Sequence, residues 1–247
     1  MKRPEAVYEL KNFALDPYHL KLNEALFHNA NGYIGVRYDF EEGYYDGFEF
    51  IRSQYINGFY DFAPVNQPEA LYGLVREKQI ILNIADTQSI RLFIDGEEFS
   101  MFTGTILESS LSLHMEKGVT VRRVIWRSPQ GKELELTITR MASFHQLTLF
   151  TIEYDIKPLN FSGSIFIESG HDIDVANFYD PADPRNLGEP VACLQPISCE
   201  IKDDASYITA LTNKSNLRTC SGVKHTISQD TEFEFWVNND SALCRFC

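Results

Sequence analysis

Alternation of apolar and polar residues is the feature that most constrains the fold of this chain. From about residue 79 onward short segments repeat with a period of two, and helical periodicity is almost absent. In residues 132–140, for example, Leu134, Leu136 and Ile138 alternate with charged or hydroxylated residues. Successive side chains of a strand point to opposite faces, so this pattern is typical of an antiparallel strand with one buried face. The sequence therefore predicts an all-β fold, a large antiparallel β-sandwich.

Turn sequences separate the predicted strands. Asp95-Gly96 suits the positive φ angles of a two-residue hairpin turn, and Ser128-Pro-Gln-Gly131 forms a second turn. The pattern predicts strands at residues 89–94, 119–126, 132–140, 146–156, 164–168, 206–211 and 231–237. Before residue 75, glycines interrupt the strand-like pieces, which predicts long shaped loops and one helix over residues 20–29. Since no linker or internal repeat is visible, we expect a single domain over residues 1–247.

Charge and composition narrow the range of partners and compartments. The chain has 22 Lys and Arg against 35 Asp and Glu, a net charge of −13, so its field repels nucleic acid and anionic membranes. It contains no apolar stretch long enough for a signal peptide or a membrane span, which predicts a cytoplasmic protein. An odd count of five cysteines in that compartment predicts reduced thiols.

Motifs for metal, nucleotide and nucleophilic chemistry are weak or absent. The glycine-rich nucleotide-binding motifs and the Gly-X-Ser-X-Gly of serine hydrolases are missing. Cys244-Arg-Phe-Cys247 is a lone cysteine pair, and we expect a frayed tail there rather than a metal site. In His171-Asp-Ile-Asp174, an extended backbone would split the ligands between two faces, so a solvated loop is expected. No metal or organic cofactor is predicted.

Acidic residues cluster in the early loop region, where glycosidase-type chemistry would need a pair of carboxylates. The cluster comprises Asp39, Glu41, Glu42, Asp46 and Glu49. In so acidic a chain we expect a solvated face, whose carboxylates have ordinary pKa values. Arg37, between Tyr33 and Tyr38, is expected to pair with Asp39, Glu41 or Glu42. The segment is a hypothetical platform for another domain or a second subunit.

Two tryptophans could stack against a sugar ring. Trp126 and Trp236 both lie in alternating segments, and packing in a core or between layers is the preferred interpretation for each.

Eight segments together resemble the N-terminal domain of glycoside hydrolase family 65, whose members include maltose, kojibiose and trehalose phosphorylases. The segments are residues 23–27, 31–37, 40–43, 55–60, 92–97, 124–131, 140–144 and 158–163. The resemblance implies a β-supersandwich like that of galactose mutarotase, followed in full-length relatives by an (α/α)6-barrel catalytic domain. It also implies that the catalytic glutamate and the site for inorganic phosphate, a co-substrate of the phosphorylases, belong to that barrel. The chain alone is therefore predicted to be inactive.

The resemblance predicts an accessory domain of a phosphorylase or hydrolase acting on α-linked glucose disaccharides. Its partner would be the catalytic barrel, and a homodimer or a bound carbohydrate are further predicted associations. The residues predicted to contact carbohydrate or another domain are Tyr33, Arg37, Glu41, Glu42 and Trp126. Two alternatives stay open: a free-standing carbohydrate-binding module, and a mutarotase-like aldose epimerase, which would need a histidine beside a carboxylate.

Overall fold

The computed structural model describes residues 6–48, 50, 52–65, 73, 75–177, 194–228 and 231–247. Glu49 of the acidic cluster and Cys193 lie outside these ranges. Within them the elements are, in chain order, β1 (Val7–Lys11), α1 (Pro17–Leu26), β2 (Asn29–Ala30), β3 (Ile34–Val36), β4 (Gln54–Pro64), β5 (Glu77–Asn83), β6 (Ile90–Ile94), β7 (Glu97–Glu98), β8 (Thr105–His114), β9 (Val119–Arg127), β10 (Glu133–Ala142), β11 (Phe150–Pro158), β12 (Ile165–Asp172), β13 (Leu194–Lys202), β14 (Ala205–Thr212), β15 (Arg218–Lys224), β16 (Phe233–Val237) and β17 (Ser241–Phe246). The predicted all-β antiparallel class is confirmed.

The chain divides into two compact units. Unit 1 comprises Met1–Arg52, Gln88–Glu168 and Cys247, and unit 2 comprises Ser53–Thr87 and Ser169–Phe246. The single domain predicted over residues 1–247 stays a prediction.

Unit 1 is built on a five-stranded antiparallel sheet with the strand order β1-β8-β9-β10-β11. In β10 the alternation predicted from the sequence is observed, because Leu134, Leu136 and Ile138 are buried and their neighbours are half-buried. Each fully buried leucine contributes about 2 kcal/mol of hydrophobic stabilisation. These side chains form one core with the buried side of β9 and with aromatic residues from the segment between β1 and β8. The largest members of this core include Phe27, Phe40, Phe99 and Trp126.

The single described helix, α1, starts earlier than predicted. Its first residue is Pro17 rather than residue 20, because Asp16 caps it: the Asp16 carboxylate accepts hydrogen bonds from the backbone N–H groups of Tyr18 (3.1 Å) and His19 (3.2 Å). Leu20 and Asn23 face the core, and the helix ends at Leu26.

Both predicted turns are confirmed in unit 1. Asp95 and Gly96 have φ angles of 46° and 85° and join β6 to β7, and Gly131 at φ 88° closes the turn between β9 and β10. Any residue other than glycine would strain the backbone at position 96 or 131, because φ is positive there.

Unit 2 contains the three-stranded antiparallel sheet β13-β14-β15, the pair β4–β5 and the hairpin β16–β17. Asn57-Gly58, which the sequence suggests is a break, lies inside β4, where the register with β5 shifts between Tyr55 and Tyr60. Gly58 (φ 79°) supplies the backbone conformation that this bulge requires. The frayed tail expected at residues 244–247 is not observed, because β17 is a regular strand that reaches Phe246 and pairs with β16.

Candidate functional site

Strand parity places two arginines in the core of unit 1. Arg122 lies on the same side of β9 as Val124 and Trp126, and Arg140 lies on the same side of β10 as Ile138. Both arginines are fully buried. A buried guanidinium must be paired and hydrogen-bonded, since its transfer from water is otherwise very unfavourable.

The carboxylates that pair with these arginines belong to the predicted acidic cluster. Arg122 donates to Glu42 through both terminal nitrogens, at 2.7 and 2.6 Å, and to Glu41 at 2.8 Å. The side chains of Glu41 and Glu42 have no exposed surface. A bidentate guanidinium–carboxylate pair is among the strongest hydrogen-bonded contacts in proteins. The solvated face expected from the sequence is therefore wrong for these two residues.

Arg140 fixes the backbone of the same segment. It donates to the carbonyl oxygens of Asp39 (2.8 Å) and Arg37 (3.3 Å), bonds to the side chain of Gln88, and lies 3.5 Å from a carboxylate oxygen of Glu41. Both arginines also lie over aromatic rings: Arg122 is 4.5 Å from the ring centre of Phe40, and Arg140 is 5.4 Å from those of Tyr38 and Phe150. Such cation–π contacts stabilise a desolvated guanidinium further.

Asp39 is the third carboxylate of the buried cluster and differs from the other two. Only 3% of its surface is exposed, and its one described side-chain hydrogen bond comes from the hydroxyl of Tyr44, at 3.0 Å. Burial raises the pKa of Asp39 to about 8, with a further upward contribution from Glu24, although Arg140 lowers it. Glu41 and Glu42 thus have guanidinium partners, whereas burial favours the protonated form of Asp39 at neutral pH.

The remaining predicted contact residues are not brought together with this cluster. Arg37 pairs with Glu24, at 2.5 Å, rather than with the predicted Asp39, Glu41 or Glu42. Glu41 and Glu42 are bound to Arg122, and Asp39 accepts from Tyr44. Tyr33 is 38% exposed, in the turn that precedes β3. Whether Tyr33 or Arg37 contacts a carbohydrate or another domain stays a prediction.

The two tryptophans have opposite environments. Trp126 is 0% exposed and its indole N–H donates to the carbonyl of Thr103 at 2.6 Å, so the core interpretation is confirmed and no sugar can stack on it in this conformation. For Trp236 the preferred core interpretation is wrong: it is exposed on β16, with the guanidinium of Arg245 5.1 Å from its ring centre.

His171 lies at the end of β12 in unit 2, where a solvated loop was expected. It is buried, and its two ring nitrogens bond to the hydroxyls of Ser206 (2.9 Å) and Ser221 (2.7 Å). Burial lowers the pKa of His171 to about 4, so the imidazole is neutral and structural at neutral pH. Among the residues that the structure describes, no group of three or more His, Cys, Asp or Glu side chains could hold a metal ion.

Cys199, Cys220 and Cys244 form no disulfide within the part of the chain that the structure describes. No helix in the described part of the chain is long and apolar enough to cross a membrane.

These features define an antiparallel β-sandwich protein in which Glu41 and Glu42 form buried ion pairs. The chain matches the family model described as "Glycosyl hydrolase family 65, N-terminal domain" over residues 10–244, and it belongs to this family. The family resemblance inferred from the eight sequence segments is therefore confirmed.

Several relatives of this chain are named as phosphorylases. The chain is 40% identical over 221 residues to "Alpha,alpha-trehalose phosphorylase" of Geobacillus stearothermophilus, which covers 88% of this chain and 29% of the relative. It is 32% identical over 200 residues to "Kojibiose phosphorylase" of Thermoanaerobacter brockii, covering 81% and 23%. A solved structure titled "Putative kojibiose phosphorylase from human microbiome" shares the fold, with a TM-score of 0.79 at 18% identity over 96% of this chain and 29% of that one. The chain thus spans less than a third of the length of these relatives.

Proposed function

We propose that this chain is the accessory, non-catalytic β-sandwich domain of a phosphorylase that acts on α-linked glucose disaccharides. The observation that carries the proposal is the burial of Glu41 and Glu42 against Arg122. Glycoside chemistry requires one carboxyl group that can donate a proton and a second that faces the substrate. Carboxylates without exposed surface, both bound to one guanidinium, can do neither.

The length of the relatives also supports an accessory role, with catalysis in a different part of the protein. Proteins named as trehalose and kojibiose phosphorylases contain a segment similar to this chain within less than a third of their length. The larger part of such a protein would hold the disaccharide, the inorganic phosphate and the acid that protonates the leaving group. The domain described here would stabilise that larger part, and α,α-trehalose is the first substrate to test.

A chimera tests the proposal. The segment of the Geobacillus phosphorylase that aligns with this chain is replaced by residues 1–247, and phosphorolysis of α,α-trehalose and kojibiose is measured as glucose 1-phosphate formed. The control is the Geobacillus phosphorylase with the same junctions and its own segment in place. We expect a turnover number within about tenfold of the control, a difference of up to about 1.4 kcal/mol in the barrier. A folded chimera without turnover, beside an active control, would refute the accessory role.

A further inference from the structure

Strand register brings five strand ends of unit 1 to the same edge of its sheet. The first residue of β1, Val7, pairs with the last of β8, His114, and His114 pairs with Val119 at the start of β9. Val119 in turn pairs with Met141 near the end of β10, and Ala142 pairs with Phe150 at the start of β11. The loops that leave these strands must therefore lie side by side.

This end of the sheet exposes large apolar side chains. We call it the end surface, and its members are Val7, Tyr33, Met115, Phe144, Leu147 and Leu149. Phe144 is 69% exposed, Met115 57% and Leu147 46%. Scattered exposed leucines are ordinary, but several large exposed apolar side chains on neighbouring loops indicate an interaction surface.

Hydrogen bonds hold the loops of the end surface in place. Asn31 donates to the carbonyl oxygens of Ser143 (2.7 Å) and Leu147 (2.9 Å), which fixes the turn bearing Tyr33 against the loop bearing Phe144. Asn29 donates to the carbonyl of Gly118 at 3.2 Å, and the backbone N–H of Met115 donates to Ala6 at 3.0 Å. The apolar side chains are thus displayed by a defined backbone.

The composition of the end surface is that of an interface centre. In residues 6–8, 31–33, 115–118 and 143–149 the charged residues are Glu116 and Lys117, which cancel, although the whole chain carries a net charge of −13. Interface centres are depleted in charge and enriched in aromatic residues and methionine.

The opposite end of the same sheet has a different character. There Lys132 pairs with Asp95 at 3.0 Å, and Arg127 pairs with Glu133 at 2.8 Å. Leu159 is exposed at this charged end to 41%, similar to Leu147. It supplies a matched control.

We propose that the end surface is where this domain docks the larger, catalytic part of the phosphorylase, an inference that rests on the proposed function. In the relatives the similar segment is continuous with more than two thirds of additional polypeptide. Covalent attachment gives that polypeptide a high effective concentration at the domain, which favours it over a second copy as the occupant. Phe144 and Leu147, the two exposed apolar side chains of one loop, would be central to the contact.

The chimera described above provides the test, with Phe144→Ser/Leu147→Ser as the variant and Leu159→Ser as the control. We expect the double variant to accelerate limited proteolysis between the two parts by about tenfold or more, because two apolar side chains leave a buried contact. The control should cleave at the rate of the unmutated chimera. In the isolated chain both variants should keep the unfolding midpoint in urea, since the substituted side chains are exposed there.

The outcomes separate the two proposals. An active chimera whose double variant cleaves no faster than the Leu159→Ser control overturns the docking inference alone. An inactive chimera beside an active control overturns the proposed function. Sedimentation equilibrium of the isolated chain adds a third arm: a dimer that the double variant converts to monomer would assign the end surface to a second copy and overturn the inference.

Discussion

Replacing Asp39 by asparagine should change how the stability of unit 1 depends on pH. Asp39 is buried, and its folded-state pKa of about 8 lies well above the ordinary value of 3.8. Between these two values the folded protein holds a proton that the unfolded chain has released. The stability contributed by the protonated carboxyl is fully present below about pH 4 and is lost as the pH rises through about 8.

The size of the effect follows from one proton. A difference of one bound proton changes the free energy of unfolding by about 1.4 kcal/mol per pH unit, or about 2.7 kcal/mol between pH 5 and pH 7. Asparagine has nearly the same shape, and its carbonyl oxygen can still accept the hydrogen bond from Tyr44. It does not titrate. Relative to the unmutated protein, Asp39→Asn should therefore gain about 2.7 kcal/mol of stability over that interval.

Urea unfolding at pH 5, 6 and 7 measures this difference. The chain contains two tryptophans, and in a Trp236→Phe background the fluorescence reports Trp126, which lies in the same core cluster as Phe40 next to Asp39. Asp46→Asn, on an exposed residue of the same segment, is the control and should run parallel to the unmutated protein. A stability difference between Asp39→Asn and the unmutated protein that is equal at pH 5 and pH 7 would refute a protonated Asp39.

Two further substitutions test the other buried ionisable groups. Arg122→Met leaves Glu41 and Glu42 buried without their counter-charge and should cost about 3–5 kcal/mol. Arg123→Met, at a partly exposed arginine of the same strand, should cost under about 1 kcal/mol, and equal losses in urea unfolding would contradict the buried network. His171 has a depressed folded pKa of about 4, so its stabilisation is present above about pH 6.5 and is lost as the pH falls to about 4. His171→Gln should remove that slope of about 1.4 kcal/mol per pH unit, as followed by circular dichroism, and an unchanged slope would exclude a neutral buried imidazole.

The part of the fold that the sequence predicts well is the part where burial has a period of two. β9 and β10 were expected within two residues of their observed bounds, because one face of each strand packs in the core. β4 was missed since its bulge at Asn57-Gly58 has the residues of a turn. The observed α1 begins before the predicted helix because Asp16 caps it and Pro17 occupies its first position, a start signal that apolar spacing alone does not include.

The candidate site was only half predictable. The acidic cluster is visible in the sequence, but its burial depends on two arginines about 80 and 100 residues further along the chain. A signal for them exists: Arg122 has the parity of Val124 and Trp126, and Arg140 has that of Leu134, Leu136 and Ile138. An arginine at an inward position requires a buried acid, and Glu41 and Glu42 satisfy that requirement. Which acids pair, and that Asp39 is left protonated, depends on tertiary packing.

The accessory, non-catalytic role is tested most directly by assaying the isolated 247-residue chain. It is incubated with inorganic phosphate and either α,α-trehalose or kojibiose, and both glucose and glucose 1-phosphate are quantified over time. Because Glu41 and Glu42 have no exposed surface and are bound to Arg122, we predict no product above the rate of a protein-free blank. Formation of either product by the isolated chain, with the activity lost in Glu42→Gln that still folds, would contradict the account.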